Sequence, residues 1–193
     1  MSQSVRCFLA ITLPDGLRRR VVRAVDAIRS RPNGDRVRWV SAANLHVTLR
    51  FLGEVSVSTL PDVMAAVGTE LATVAAFPCE LGEIHPFPRA RNPKVIATSL
   101  HTEGRLNGLA AAVERGVAAA GQAPDSRGFR AHLTVGRLRG HGYPTLHDES
   151  GLVGSTLLVE RVVLMRSDLR PDGAVYTELE SIPLGATGAL GAG

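Results

Sequence analysis

The alternation of apolar and polar positions divides the chain into short segments of strand and helix character. Val5-Arg6-Cys7-Phe8-Leu9-Ala10-Ile11 is an apolar run of strand length, closed by Pro14, and reads as a buried strand. From Asp15, placed to cap a helix, Leu17, Val21, Val25 and Ile28 recur at helical spacing, while Arg18, Arg19, Arg20 and Arg23 fall on the outer, solvated side. The same spacing predicts a helix over 60–75, through Val63, Val67, Leu71 and Val74. A further helix is predicted over 103–120, through Leu106, Leu109, Val113 and Val117, with Gly121 as its terminator. Strands are predicted at 37–40, over the stretch from His46 to Gly53, and at 77–84, 94–100, 129–138, 159–166 and 174–182. Pro32-Asn33-Gly34-Asp35 marks a turn and Asp172-Gly173 a hairpin. Residues 86–93 form a proline- and arginine-rich loop, and 139–155 a long polar one. Residues 185–193, nearly all Gly and Ala, are expected to be a disordered tail beyond a single two-lobed domain of residues 1–184.

Two of the strands carry the same pattern. His46-Val47-Thr48-Leu49 returns as His132-Leu133-Thr134-Val135, and 132 − 46 puts the copies 86 residues apart. Side chains of a strand alternate faces, so each His and Thr point the same way, roughly 7 Å apart, with the aliphatic residues behind them in the core. A strand-helix-strand pattern surrounds both copies, which suggests two similar lobes related by duplication, with the motif strands meeting at a central cleft. The predicted fold class is α+β, with mixed or antiparallel sheets and outer helices. Alternation also places Arg50 on the face of His46 and Thr48, and Arg130 on the face of His132 and Thr134, as phosphate neighbours. By the same parity Phe51 faces the core, unless a bulge turns it to the cleft.

Composition narrows the partners. With 45% hydrophobic and 21% charged residues the 193-residue chain is a folded protein rather than a disordered one. The formal net charge is +4, and Lys94 is the only lysine. Arginine suits bidentate phosphate contacts, which favours an anionic partner, although compositional bias accounts for much of the Arg-to-Lys ratio. Cys7 and Cys79 sit in apolar strands and are expected to be reduced core residues. No membrane span or signal pattern is present, so a cytoplasmic protein is expected; a monomer is expected as well. His85, His101, His141 and His147 show no zinc-site spacing, and there is no GxxxxGK[ST] loop; no metal or cofactor is expected.

The two motifs, with Arg6-Cys7-Phe8-Leu9-Ala10-Ile11 and Asn44-Leu45-His46-Val47-Thr48-Leu49-Arg50-Phe51-Leu52-Gly53, resemble the two-histidine (2H) phosphoesterase superfamily. Within it the chain is most similar to the RNA 2′,3′-cyclic phosphodiesterases, also called 2′-5′ RNA ligases. The likeness spans roughly 5–182 and departs at Ala131, where the family usually has proline. The resemblance implies a two-lobed α+β fold and metal-free hydrolysis of RNA-terminal 2′,3′-cyclic phosphate to a 2′-phosphomonoester, reversible as 2′-5′ RNA ligation. The residue chemistry agrees with this. Ring opening needs an activated water on one side of phosphorus and a protonated leaving oxygen on the other, and histidine serves either role near neutral pH. The Thr48 and Thr134 hydroxyls would hold the non-bridging oxygens.

Spacing leaves open which histidine is acid and which is base; the resemblance implies His46 as the acid and His132 as the base. It also implies Arg137 on the phosphate and Phe51 stacked on a base. Alternative readings keep the fold and change the substrate to small cyclic nucleotides or 2′-5′ oligonucleotides, or make the protein an RNA-end binding module.

Overall fold

A computed structural model describes residues 3–126, 128–140, 142–147, 151–171 and 173–185. The elements in chain order are β1 (Ser4–Thr12), α1 (Asp15–Arg29), β2 (Val37–Trp39), β3 (His46–Ser56), α2 (Leu60–Leu71), β4 (Phe77–Phe87) and β5 (Val95–His101). They continue with α3 (Arg105–Ala119), β6 (Leu133–Leu138), β7 (Thr156–Val159), β8 (Arg161–Arg170) and β9 (Gly173–Pro183). The strands form two sheets, β3-β1-β8-β9 and β2-β6-β5-β4-β7, and every strand pair within them is antiparallel. The fold is the predicted α+β one, and its lobes share a topology. In each, a strand, a helix and the motif strand come in that order (β1, α1, β3 with β2 between the last two, and β5, α3, β6), with the motif strand pairing the strand before the helix. Beyond that pair, β8 and β9 in the first sheet match β4 and β7 in the second.

The lobes are not independent. β2, which precedes β3 in the chain, pairs with β6 of the other sheet. One apolar cluster takes in the buried faces of all three helices and the backs of both sheets. It includes Leu17, Val21, Val25 and Ile28, and Leu106, Leu109, Val113 and Val117, the residues that helical spacing selects. α3 meets α2 closely at Gly116, where an added Cβ would lie 2.5 Å from the Val67 Cα. A small second cluster, Phe8, Ala10, Val163 and Met165 with Tyr176 against it, covers the opposite face of the first sheet. Cys7 and Cys79 are buried and unpaired, and burial pushes each thiol up to about 11.

Several boundaries differ from expectation. Asp15 is not the cap of α1; the helix begins on it, Pro14 occupies the cap, and the Asp15 carboxylate accepts from Arg18 at 2.9 Å. α2 ends at Leu71, short of Val74. β4 continues through Pro86 to Phe87, because β5 offers a pairing partner along that length. The strand expected at 159–166 is a longer β8 preceded by a separate β7, which extends the other sheet by pairing β4. The expected strand over 129–138 begins only at Leu133, so His132 stands at its entrance. Gly185 bridges to Ala75; the rest of the expected tail, His141 and Asp172 of the expected hairpin turn lie outside the described residues.

Candidate active site

Ladder partners on neighbouring strands share a face, so the register shows what each motif strand presents. On the first sheet Thr12 lies opposite His46, Ala10 opposite Thr48 and Phe8 opposite Phe51. Two shifts of register make this possible. Ala10 and Leu9 pair Thr48 and Arg50, and Phe8 and Cys7 pair Phe51 and Gly53, leaving Leu49 and Leu52 as extra residues in β3. An extra residue in a ladder reverses the parity of everything beyond it. Leu49 and Arg50 are consequently both buried, and Phe51 returns, 41% exposed, to the face of His46 with its ring 5.7 Å from that of Phe8.

The expectation that Arg50 sits beside the phosphate is therefore corrected. Its guanidinium points to the interior, where Nε meets a Glu114 carboxylate oxygen at 2.6 Å and Nη1 lies 3.7 Å from Asp125. Nη2 donates to the Ala123 carbonyl. Glu114 in turn accepts the Asp125 backbone N–H at 3.1 Å. Arg50 thus ties β3 to α3 and to the start of the segment that leads to His132.

The second motif strand repeats the device at the same place. Ala97 pairs Thr134 and Ile96 pairs Gly136, so Val135 is the extra residue and Arg137, opposite Val95, returns to the face of Thr134. Both bulges follow the Thr directly, which brings the fifth residue after each His, Phe51 or Arg137, into line with the motif. At the fourth position the lobes part: Arg50 fills the interior of one, while Gly136 in the other leaves room for β2. A Cβ there would lie 2.5 Å from Val37 Cγ1 and 3.1 Å from the Trp39 ring.

Each imidazole is anchored alike. His46 Nδ1 lies 2.7 Å from the Asn44 carbonyl, and His132 Nδ1 lies 2.7 Å from the Arg130 carbonyl. A carbonyl only accepts, so both Nδ1 atoms carry hydrogen and both Nε2 atoms are left for chemistry. His46 Nε2 lies 3.0 Å from Thr48 Oγ1. Asn44 is itself held by its side-chain amide, which donates to the Ala174 carbonyl at 2.7 Å.

Their surroundings differ. The His46 ring packs 4.8 Å from Phe8 and edge-on to Tyr176 at 5.1 Å. The His132 ring is stacked on Phe87 at 4.1 Å, and the Arg130 guanidinium lies over that same Phe87 ring at 4.7 Å while donating to the Pro88 carbonyl. Arg130 so stands at the rim of the second sheet. Burial lowers the pKa of His46 below the usual 6.5, with the charges of Arg137 and His132 adding to it and the Asn44 carbonyl opposing. Burial also leads the lowering for His132, with Arg130, His85 and Arg137 behind it. The charge of Arg137 reaches both rings and β3 touches β6, so the two motifs lie near one another. His85, which has no zinc-site spacing in the sequence, lies opposite Ala97 in the row of Thr134. Phe8, Tyr176 and Phe87 were not singled out as site residues; they belong to distant strands, and only the pairing delivers them.

A model of the 2′-5′ RNA ligase superfamily matches residues 13–170. The chain belongs to the 2′-5′ RNA ligase superfamily. A Methanothermobacter thermautotrophicus protein named RNA 2′,3′-cyclic phosphodiesterase is 31% identical over 91% of this chain and 97% of its own length. One of that name from Thermus thermophilus is 34% identical, covering 93% and 90%. Among solved structures, that of a Thermus thermophilus protein superposes with TM-score 0.76 at 31% identity over 94% of this chain and 98% of that one. Escherichia coli LigT in complex with 3′-AMP, at 24% identity, shares the fold with TM-score 0.79 over 94% and 99%. No helix among the described residues of this superfamily member is long and apolar enough to cross a membrane.

Proposed function

We propose that the protein hydrolyses RNA-terminal 2′,3′-cyclic phosphates to 2′-phosphomonoesters, with His46 and His132 as the acid–base pair and no metal. The observation that carries this reading is the matched pair of imidazoles. Each has Nδ1–H spent on the carbonyl two residues before it, and Nε2 left to take or give a proton. The names of the relatives support the substrate. In the assignment implied by family likeness, His132 Nε2 takes a proton from water as the water oxygen attacks phosphorus. The bond from phosphorus to the 3′-oxygen breaks and His46 Nε2–H protonates the leaving oxygen. Arg137 and the hydroxyls of Thr48 and Thr134 would stabilise the non-bridging oxygens, whose charge must be held through an in-line displacement. Arg130 would assist from the rim, and Phe51 offers a face for the terminal base. A ribose 5′-hydroxyl in place of water would yield a 2′-5′ linkage by the same proton transfers.

The lowered pKa of both histidines suits the base more than the acid. Burial favours the neutral form, so the acid must gain its proton when the anionic phosphate enters and offsets the charge of Arg137. The test is to incubate the protein, in EDTA, with an RNA oligonucleotide ending in 2′,3′-cyclic phosphate and to identify the phosphate isomer. A 2′-phosphate formed in EDTA is expected. A 3′-phosphate, a dependence on added metal, or RNA binding with no turnover would sink the reading.

A further inference from the structure

The difference in charge across the cleft continues beyond the histidines. At one end of the second sheet, Phe87, Val95, Arg137 and Arg38 form a row across β4, β5, β6 and β2. The connections that emerge at this end carry Arg89, Arg91 and Lys94 between β4 and β5, Arg139 after β6 and Arg36 ahead of β2, all exposed. Backbone bonds hold these connections together. Lys94 N–H donates to the Phe87 carbonyl at 2.8 Å, Leu138 N–H to the Lys94 carbonyl at 3.2 Å, and Arg139 N–H to the Arg36 carbonyl at 2.9 Å. The stretches 36–53, 84–101 and 128–140, which build this end and the motifs, contain no Asp or Glu at all. On the first sheet Arg161 pairs Glu178 and Arg166 pairs Asp168. Like charges gathered on neighbouring loops repel one another, a cost that an anionic partner removes.

We propose that this end of the second sheet binds the phosphates of the RNA body upstream of the reacting 3′ end, so that the enzyme selects polynucleotide ends over mononucleotides. The patch meets the cleft at Arg137, which places the phosphate of the terminal nucleotide and those before it on one cationic track. The inference rests on the proposed activity and identifies the part of the substrate that the catalytic groups do not touch.

The test compares the intact protein with the triple variant Arg89→Ala, Arg91→Ala, Lys94→Ala on two substrates, a single-stranded oligonucleotide ending in 2′,3′-cyclic phosphate and a 2′,3′-cyclic mononucleotide. For the oligonucleotide, kcat/KM should fall about tenfold at about 0.1 M salt, through KM, since each neutralised phosphate contributes to a salt-sensitive affinity. The plot of log kcat/KM against log salt should become shallower by about 2, from ~0.7 per contact on a single strand. The mononucleotide should change by less than about twofold, because these residues are not needed for a lone terminal phosphate. Equal losses on both substrates would overturn the proposal, and so would an unchanged oligonucleotide, which would leave the patch to an acidic protein. If the intact protein turned over neither substrate, the proposed activity would fall by itself. Fluorescence anisotropy with the oligonucleotide ending in a 3′-hydroxyl then decides the surface: weaker binding by the triple variant supports it, and equal binding overturns it.

Discussion

The surroundings of His46 and His132 are built on one backbone plan and furnished oppositely. Each imidazole is tied at Nδ1 to the carbonyl two residues earlier, and each motif strand bulges straight after its Thr. One ring is then set among Phe8 and Tyr176, with Phe51 at the end of the motif. The other is stacked on Phe87 amid Arg130, Arg137 and His85. What repeats is therefore the anchoring of the two imidazoles, and what diverges is the set of side chains around them. An apolar, aromatic wall suits a ribose and base, and a cationic wall suits phosphates.

The severest way to break the equivalence of the two sides is to remove one ring. His46→Ala and His132→Ala should each lower hydrolysis by about a thousandfold, within the range for loss of a positioned acid or base, with circular dichroism unchanged. Substantial turnover by either variant would mean that the halves do not act as a pair. Arg137→Ala should cost about a hundredfold in kcat, as expected for loss of a group that stabilises transition-state charge.

Arg50 tests the other face of the first bulge. Arg50→Met leaves Glu114 and Asp125 facing an apolar side chain and should destabilise the fold by about 2 kcal/mol, less than for a fully buried pair because both carboxylates are partly exposed. Pairing it with Glu114→Gln should recover part of the loss in a urea titration. An effect on KM for RNA with unchanged stability would return Arg50 to the cleft.

Smaller effects sharpen the contrast. Phe51→Ala should raise KM for a mononucleotide about tenfold with little change in kcat, the size expected for a lost base stack. In an NMR titration, Arg137→Ala should raise the pKa of both histidines, whereas Arg130→Ala should raise that of His132 alone. Because burial holds both pKa values below 6.5, the acidic limb of kcat/KM should lie below that pH. The alkaline limb of kcat should lie above that of kcat/KM, since bound phosphate raises the acid. Stability has the same sign: the unfolded chain binds more protons than the folded one just below pH 6.5. The melting temperature should hold above that pH and fall as it drops toward the folded values.

Much of this was legible in the chain itself. The spacing of Leu17, Val21, Val25 and Ile28, and of their counterparts in α3, selects the helix faces, because burial needs only a period of 3.6. The His-x-Thr pattern determines that the His46 imidazole and the Thr48 hydroxyl share a face, because alternation over two residues needs no partner strand. Alternation misplaced Arg50 and left Phe51 in the core because it counts residues along one strand, whereas a bulge is a mismatch between two. The extra residues Leu49 and Val135 exist only relative to β1 and β5, so the parity of Phe51 and Arg137 was decided when those ladders formed. The recruitment of Phe87 and Tyr176 to the histidines, and the crossing of β2 into the opposite sheet, also belong to tertiary structure. These neighbours are remote in sequence, and no local period records which strands a sheet sets side by side.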